Sequence, residues 1–370
     1  MVKKTFVTRP FIGNADMTSQ AIGESLREGI LTNHGPNHAL LTDRLKNHLD
    51  VSNLSLFCNG TMALLTGLKS LELSGEVVTT PFTFPATVHA IEWAGLTPVF
   101  CDIDPESMCI NPDKIEALIT PQTSAILGVH VYGIPCDVEK IDKIKRRHDL
   151  KVVYDAAHAF LTQIDGKSIC EFGDASMLSF HATKIFNTVE GGALVYQNPS
   201  LEEALFLRQN FGIKDQGDIR CSGVNGKLSE IHSIVGLHNL ANLESEVVRR
   251  REIFNLYMEL LGGLDGVKLI SFPDNVTEGF QYFPIRIDSS RTKTNSDLVQ
   301  QALSERQIFS RRYFYPLCSN YPHYEGLISA SKELLPVANR ISEEVLCLPF
   351  YGELEPEKVR EICDVIKSLI

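Results

Sequence analysis

Short apolar, β-branched runs alternate along the middle of the chain with stretches in which apolar and polar residues have helical spacing. Five of these runs predict strands, at 76–80 (EVVTT), 97–102 (TPVFCD), 125–131 (AILGVHV), 151–155 (KVVYD) and 175–179 (ASMLS). Helix signals lie between the strands, at 84–94, 111–118 and 138–148. Because strands separated by helices form βαβ units, the pattern predicts an α/β fold with a mainly parallel central sheet.

The pattern changes in the last third of the chain. A long helical stretch with few breakers covers 228–262. After it, the spacing predicts a strand at 280–287, a helix at 297–304 and a closing helix at 359–370. We therefore expect a large domain at 15–245, a smaller α+β domain at 246–370, and residues 1–14 as an N-terminal arm.

Charge and composition narrow the classes of function. The 370 residues have a formal charge of −11, because 35 Lys and Arg face 46 Asp and Glu. An acidic chain is a poor candidate for binding DNA or RNA, which depends on neutralising phosphates. Hydrophobic residues make up 44% of the chain, which argues against disorder, yet no apolar run approaches the length of a transmembrane helix. We expect a globular protein with no nucleic-acid and no membrane partner.

Cysteine usage and the N-terminal sequence predict the compartment. Nine cysteines are scattered without a CxxC pair, as expected for free thiols in a reducing environment. The N-terminal residues lack the apolar core of a secretory signal. We therefore predict a cytoplasmic protein with neither a disulfide framework nor a metal site.

Two segments carry candidate binding groups at the ends of predicted elements. Gly60 and Thr61 open a helix-forming stretch, where free N–H groups and the helix dipole favour a phosphate. The alternative is an ordinary helix cap. Asp155 ends a predicted strand, at the edge where open α/β sheets bind ligands. The alternative is that Asp155 only caps the helix that follows.

Two further segments supply a nucleophile and an aromatic ring. Lys184 ends the turn SFHATK and precedes the glycine-rich 190–193, and a lysine held in a site can form a Schiff base and move protons. A solvated surface lysine is the alternative. Phe84, in PFTFP, lies just beyond a strand end, where it either stacks on a bound ring or packs in the core.

Eight segments occur together in an order that identifies a family. They are NGT (59–61), PFTFPAT (81–87), VFCDIDPESMCINPDKIEALITPQTSAI (99–126), VHVYG (129–133), DAAHA (155–159), SFHATK (179–184), NGKLSEIHSIVGL (225–237) and RRYFYPL (311–317). With them, nearly the whole chain resembles sugar aminotransferases of the DegT/DnrJ/EryC1/StrS family. The resemblance implies the aspartate-aminotransferase (fold type I) architecture and pyridoxal 5′-phosphate (PLP) as the cofactor.

The resemblance also implies a role for each matching residue. Lys184 would bind PLP covalently and act as the catalytic residue, and Asp155 would pair with the protonated ring nitrogen. Gly60, Thr61 and Ser179 would bind the PLP phosphate. Phe84 would stack on the ring face, and His158 would lie by the ring or its 3′-oxygen. Asn225 would reach the phosphate of the other subunit's cofactor. Many members of the family have Gln at the position of His158. Because the family's active site lies at a dimer interface, a homodimer is implied.

Lys184 also separates two reactions known in the family. Related sugar 3-dehydratases have His at this position, so Lys184 favours a transaminase that alternates between PLP and pyridoxamine phosphate. The resemblance implies L-glutamate as the amino donor and a nucleotide-linked keto-sugar as the acceptor. Segments 31–41, 57–69 and 181–193 are most similar to 4-aminotransferases of dTDP-4-keto-6-deoxyglucose, whose dTDP-4-amino-4,6-dideoxy products enter O-antigen, lipopolysaccharide or glycosylated metabolites. Amination at C3 and UDP-sugar acceptors are alternatives within the family.

Candidate substrate contacts follow from the anionic acceptor. A diphosphate needs cations, and Lys227, Arg311 and Arg312 are the local ones, although solvated surface charges are an alternative. Tyr313 would pack on the nucleotide or sugar, or fill the interdomain core. His34 would contact substrate, or only form the turn before Gly35.

A function of another class is a catalytically silent relative that binds PLP or a sugar nucleotide as a sensor. Such a protein is expected to have lost Lys184 or Asp155. Both residues are present, which favours the enzyme.

Overall fold

The computed structural model describes residues 4–370, so the first three residues of the predicted N-terminal arm lie outside the described residues. The strands are β1 (Leu54–Phe57), β2 (Glu76–Thr79), β3 (Thr97–Phe100), β4 (Thr123–Val129), β5 (Lys151–Asp155), β6 (Gln163–Ile164), β7 (Lys167–Ser168), β8 (Ala175–Ser179), β9 (Gly192–Tyr196), β10 (Ile213–Asp215), β11 (Asp218–Ile219), β12 (Val267–Leu269), β13 (Val276–Thr277), β14 (Phe283–Ile287) and β15 (Val345–Leu348).

The helices surround these strands. They are α1 (Ala15–Glu28), α2 (Pro36–Leu49), α3 (Gly60–Ser70), α4 (Pro85–Trp93), α5 (Pro112–Ile115), α6 (Val138–His148), α7 (Leu201–Gln209), α8 (Glu230–Ala241), α9 (Leu243–Leu261), α10 (Ser296–Glu305), α11 (Pro336–Glu344) and α12 (Pro356–Leu369). Short 3-10 turns lie at Glu116–Leu118, Val131–Gly133, Ile169–Glu171, Cys318–Asn320, Pro322–Tyr324 and Ile328–Ala330.

A seven-stranded sheet with the order β1-β9-β8-β5-β4-β2-β3 forms the centre of the fold. The five strands from β8 to β3 pair in parallel, whereas β9 is antiparallel to both of its neighbours. The predicted mainly parallel α/β sheet is confirmed. Because β1 runs in the same direction as the parallel strands, the carboxyl ends of β1, β2, β4, β5 and β8 meet at one edge of the sheet.

Strand β9 was not predicted, and it explains one glycine after Lys184. A Cβ atom on Gly192, the first residue of β9, would lie 2.5 Å from the backbone nitrogen of Gly60. No side chain fits at that distance. Glycine at 192 therefore lets β9 approach the first turn of α3, and this contact fixes the position of the Asn59–Thr61 turn.

The helical stretch predicted over 228–262 is divided in the structure into two helices that meet at Asn242. The backbone of Asn242 leaves helical geometry, and its side-chain amide donates to the carbonyl of His238 at 2.8 Å. Asn239, one turn earlier, accepts from the N–H of Gly13 and donates to the carbonyl of Asn187. Asparagine competes for backbone hydrogen bonds, and here contacts with distant segments end the helix.

A three-stranded antiparallel sheet, ordered β12-β14-β15, organises the C-terminal part. The strand predicted at 280–287 begins only at Phe283, because Phe280 has a positive φ of 47° and the chain turns there. The predicted C-terminal helices are observed as α10 and α12. Buried residues of both sheets belong to one hydrophobic cluster. The proposed boundary at 245/246 falls inside α9 and stays a prediction.

Two expectations about the chain as a whole can be compared with the structure. All nine cysteine thiols are free, as predicted, and seven of them are buried. Among residues 4–370, no helix combines the length and the apolar character that a bilayer span requires. The longest, α9, carries consecutive arginines at 249–251.

Candidate active site

A cavity of about 760 Å³ opens where the carboxyl ends of the parallel strands meet. Its size is that of a small-molecule site. The predicted residues that line it are Gly60, Thr61, Phe84, Asp155, His158, Ser179, Lys184, Arg311 and Tyr313. His34, Asn225, Lys227 and Arg312 lie outside this lining.

Lys184 provides an amine with unusual acidity at the cavity wall. It follows β8 in a tight turn, where its N–H donates to the carbonyl of His181 at 2.8 Å. Its Nζ lies 5.6 Å from the centre of the Tyr282 ring. The surrounding protein desolvates the ammonium, and this burial lowers the pKa of Lys184 to about 8, although the Asp155 carboxylate opposes the shift. The amine is therefore largely neutral at mildly alkaline pH and can act as a nucleophile or base.

Asp155 is a buried carboxylate held in a fixed orientation at the end of β5. Its Oδ2 accepts a hydrogen bond from Oγ1 of Thr87 at 2.7 Å, and its Oδ1 accepts from the N–H of Ala157 at 3.0 Å. Burial raises the pKa of Asp155, while both hydrogen bonds and Lys184 counteract this shift. A cation brought into the cavity beside it would stabilise the carboxylate, so the position fits a protonated ring nitrogen.

His158 is a neutral hydrogen-bond donor in the same wall. Its Nδ1 accepts from the N–H of Tyr132 at 3.2 Å, so we assign the proton to Nε2. The ring lies 4.9 Å from Tyr282 and 5.8 Å from Phe314, measured between ring centres. Burial, with a smaller effect of Lys184, keeps the pKa of His158 well below its usual range. The imidazole can therefore donate a hydrogen bond without adding a charge.

The first turn of α3 offers hydrogen-bond donors that suit an anion. Oδ1 of Asn59 accepts from the N–H of Met62 at 2.8 Å and caps the helix, whereas the N–H groups of Gly60 and Thr61 have no partner within the helix. Ser179 is adjacent, since a Cβ on Gly60 would lie 3.2 Å from its Cβ. Backbone donors, hydroxyls and a helix N-terminus converge here, and this combination binds phosphate.

Phe84 and Ala157 provide surfaces for a flat ring. Phe84 precedes α4, lines the cavity and is 58% exposed, which is unusual for a phenylalanine. Ala157 lies two residues beyond Asp155 and also lines the cavity, and its small side chain leaves space for a ring. These residues fit an aromatic cofactor whose nitrogen faces Asp155 and whose phosphate lies at α3.

Gln281 is a site residue that sequence reasoning missed. It is 1% exposed, its Nε2 donates to the carbonyl of Thr183 at 3.1 Å, and its Oε1 accepts from the N–H of Ile185 at 2.9 Å. One amide therefore fixes the backbone on both sides of Lys184. Gln281 lies in the run predicted as a strand, and no spacing in the sequence connects it with the lysine turn.

Three of the predicted residues lie in a neighbouring cluster. The ring of His34 is 4.7 Å from that of His38, and burial together with the nearby Lys227 ammonium lowers the pKa of His34. Nζ of Lys227 donates to Oδ1 of Asn210 at 2.8 Å. Asn225 forms a β-bridge with Asn210. The cluster adjoins the cavity edge through Gly226, which lies between Asn225 and Lys227. The carbonyl of Gly226 accepts from the N–H of Cys58 at 2.7 Å, and the next residue, Asn59, lines the cavity.

The two predicted arginines have different surroundings. Arg311 lines the cavity with Tyr313. Arg312 instead pairs with Asp297, donates to the carbonyl of Ser342 at 2.8 Å and lies 3.9 Å from the centre of the Tyr315 ring. These contacts hold Arg312 against α10 and α11, outside the cavity lining.

Comparisons with known proteins agree with this geometry. The model of the DegT/DnrJ/EryC1/StrS aminotransferase family matches residues 14–367. An Escherichia coli protein named dTDP-4-amino-4,6-dideoxy-D-glucose transaminase is 43% identical over 337 residues, which are 91% of each chain. A Shigella dysenteriae protein of the same name is 38% identical over 371 residues, covering 100% of both chains.

A solved structure extends the agreement to three dimensions. The crystal structure of DesI in the presence of its TDP-sugar product matches with a TM-score of 0.94 and 33% identity, covering 100% of this chain and 93% of that one. The expected sugar-aminotransferase fold is thereby confirmed, as is the predicted transaminase class. The chain belongs to the DegT/DnrJ/EryC1/StrS aminotransferase family.

Proposed function

We propose that this protein is a PLP-dependent transaminase that moves the amino group of L-glutamate to C4 of dTDP-4-keto-6-deoxyglucose, giving a dTDP-4-amino-4,6-dideoxy sugar. One observation supports the chemistry above others: Lys184, Asp155 and the first turn of α3 line one cavity. The names of the Escherichia coli and Shigella dysenteriae relatives support the choice of sugar.

The residues at the cavity fit PLP. Asp155 would hold the protonated ring nitrogen, Phe84 would stack on the ring, and His158 would donate from Nε2 to the ring oxygen. The phosphate would lie against the N–H groups of Gly60 and Thr61 and the hydroxyl of Ser179. When bound, PLP supplies an electron sink that stabilises negative charge on the amino-bearing carbon.

The protein's part in the reaction is binding and proton transfer. Burial lowers the pKa of Lys184 to about 8, so part of the amine is neutral near neutral pH. In that form Nζ takes the proton from the amino-bearing carbon of the donor, and it later delivers a proton to the sugar carbon that receives the nitrogen. Tyr282 and Gln281 hold the lysine in place. A silent sensor does not need a buried lysine with a lowered pKa in the same cavity as a buried carboxylate. The presence of Lys184 and Asp155 together therefore favours the enzyme.

The acidity of Lys184 predicts how cofactor uptake depends on pH. Only the neutral amine attacks PLP, so below about pH 8 the rate of covalent uptake by cofactor-free protein is expected to rise roughly tenfold per pH unit and then level off. Stopped-flow absorbance of protein mixed with PLP measures this rate. A rate that keeps rising to pH 10 would show an unshifted lysine and contradict the assignment.

Replacing Gln281 tests its hold on the lysine turn. Gln281→Met keeps the volume but removes both hydrogen bonds, so kcat is expected to fall by about 10- to 100-fold, since catalysis is sensitive to misplacement near 1 Å. The KM for glutamate should change much less. Gln301→Met, on the exposed face of α10, is the matched control. A fully PLP-loaded Gln281→Met with unchanged kcat would make Gln281 merely structural.

We also propose a cytoplasmic homodimer in which His34, Asn225 and Lys227 reach the partner's active site, Asn225 at the cofactor phosphate and the other two at the substrate. The cluster's position beside the cavity edge supports this. If sites are shared, mixing inactive Lys184→Ala with inactive Asn225→Ala/Lys227→Ala should restore about one quarter of the activity, because half the dimers carry one intact site. No restoration after subunit exchange would place these residues in their own chain's site.

The acceptor is tested with a panel of keto-sugars. Purified protein is incubated with glutamate and with dTDP- or UDP-linked 3-keto or 4-keto sugars, and products are detected by mass spectrometry. We expect turnover with the dTDP-linked 4-keto sugar. Turnover only with a 3-keto or a UDP-linked sugar would overturn the proposed substrate while leaving the transaminase intact. We place the product in the supply of amino sugars for O-antigen or lipopolysaccharide.

A further inference from the structure

The outer wall of the cavity is an extended segment that contains Arg311. Ile308 forms a β-bridge with Thr5 on one side of the segment, and Arg311 forms one with Cys347 on the other. The side chain of Ile308 is fully buried, whereas Phe309, the buried Ser310 and Arg311 line the cavity. The bridges at both ends hold the segment extended, so these residues follow one another along the wall toward the rim.

The rim ends in a pair of stacked aromatic rings. Phe6, from the N-terminal arm, stacks on Phe309 with ring centres 5.4 Å apart and an interplanar angle of 20°. The arm is fixed on both sides, since the N–H of Phe309 donates to the carbonyl of Thr5 at 2.8 Å and that of Phe350 to the carbonyl of Val7 at 3.0 Å. Phe6 nevertheless stays 56% exposed and lines the cavity. The pair forms a fixed, flat, apolar platform.

Arg311 lies between this platform and the reactive lysine. The ion pairs within residues 4–370 include Arg312 but not Arg311, whose side chain is exposed at the cavity. On the inner side, Tyr313 lies 5.1 Å from Tyr282, between ring centres, and Tyr282 is the ring beside Nζ of Lys184. From the inside outward, the wall therefore offers an amine, two phenols, a cation and an aromatic platform.

We propose that Phe6 and Phe309 form the nucleobase subsite, where the base of the acceptor stacks, and that Arg311 binds the diphosphate between base and sugar. This inference rests on the proposed nucleotide-linked acceptor and names the groups that hold its nucleotide part. The order of chemistries along the wall matches the order in a nucleotide sugar: sugar at Lys184, diphosphate at Arg311, base at Phe6. A base has an apolar face that stacks on aromatic side chains, and guanidinium forms charge-assisted hydrogen bonds with phosphate.

Binding of two ligands to PLP-loaded protein tests the subsite. dTDP carries base and diphosphate, whereas pyrophosphate carries no base, and both affinities are measured by calorimetry. Phe6→Ala and Phe309→Ala are expected to lower the affinity for dTDP roughly 5- to 150-fold while leaving the affinity for pyrophosphate unchanged. Arg311→Gln is expected to lower the affinity for both ligands about 10- to 100-fold. Phe6→Tyr, which keeps the ring, should bind dTDP like wild type.

Controls separate the subsite from general effects of the substitutions. Trp93→Ala removes an aromatic ring that is 71% exposed but lies outside the cavity lining, and Arg306→Gln removes an exposed arginine at the end of α10. Suppose that wild type binds dTDP, and that Phe6→Ala and Phe309→Ala bind it with the same affinity as Trp93→Ala. The subsite is then overturned, while the proposed function stands. If wild type does not bind dTDP, both fail. If the Phe variants change the oligomeric state in sedimentation but not the dTDP affinity, the platform is a subunit interface and the proposal is overturned.

Discussion

Replacing Lys184 by alanine is expected to abolish transamination, lowering kcat by at least about 10⁴-fold, because one amine provides both covalent attachment of PLP and the proton transfer. Steady-state assays with glutamate and the keto-sugar measure the loss. Lys184→Arg should be equally inactive, since its guanidinium stays charged at every accessible pH. Lys332→Ala, an exposed lysine outside the cavity lining, is the matched control.

Two further observations decide whether Lys184 acts through its amine. Borohydride should attach the cofactor irreversibly to wild type, at Lys184 as located by peptide mass spectrometry, and should fail to do so in Lys184→Ala. Added methylamine should restore part of the activity of the alanine variant, because a small amine fits the vacated space and accepts the proton. A variant that keeps more than a few per cent of wild-type kcat without added amine would contradict the role of Lys184.

Replacing Asp155 by asparagine is expected to have the second largest effect. An opposite charge within about 4–6 Å raises the pKa of a protonated ring nitrogen by about 1–3 units, so losing it should lower kcat roughly 10- to 1000-fold at neutral pH. The cofactor-free variant should unfold at the same or a higher temperature than wild type. Burial raises the pKa of Asp155, so its carboxylate destabilises the empty site, and neutral asparagine removes that cost.

Asp102→Asn is the matched control for this separation of activity from stability. Asp102 is also buried, but it pairs with Lys114 at 2.8 Å and accepts from the N–H of Ala338 at 2.8 Å, where α11 begins. Its replacement should lower the unfolding temperature and leave kcat of the folded protein near wild type. An Asp155→Asn enzyme within about threefold of wild-type kcat would show that the ring nitrogen needs no carboxylate here.

Much of the site was predictable because its groups lie where predicted elements end. Asp155 ends β5, Gly60 begins α3 and Lys184 follows β8, so a parallel sheet alone places them at one edge. Each of these residues belongs to a short contiguous motif. The family resemblance then implied a role for each of them.

The unpredicted features depend on contacts between distant segments. Gln281 reaches the backbone of Thr183 and Ile185 from nearly a hundred residues away, and Phe6 meets Phe309 across almost the whole chain. Close to the break at Asn242, Asn239 likewise contacts Gly13 and Asn187, which are far from it in the sequence. Spacing along a sequence reports local periodicity, so such pairs become visible only in the folded chain.

Charge shows how local the recognition of an anionic substrate must be. With a net charge of −11, the protein as a whole repels a nucleotide sugar. The cations proposed to bind it are Arg311 and Lys227 of the partner subunit. Attraction is therefore short-ranged, and raising the salt concentration should not slow association, because salt screens the overall repulsion.

The central claim is that this cavity transfers nitrogen from glutamate to C4 of the sugar. The most direct measurement uses nitrogen-15-labelled L-glutamate with dTDP-4-keto-6-deoxyglucose and follows the products by mass spectrometry and NMR. The proposed function predicts a dTDP-4-amino-4,6-dideoxy sugar with the label bound to C4, formed by wild type and absent with Lys184→Ala. Unlabelled sugar after prolonged incubation of the PLP-loaded enzyme, or label at another carbon, would contradict it.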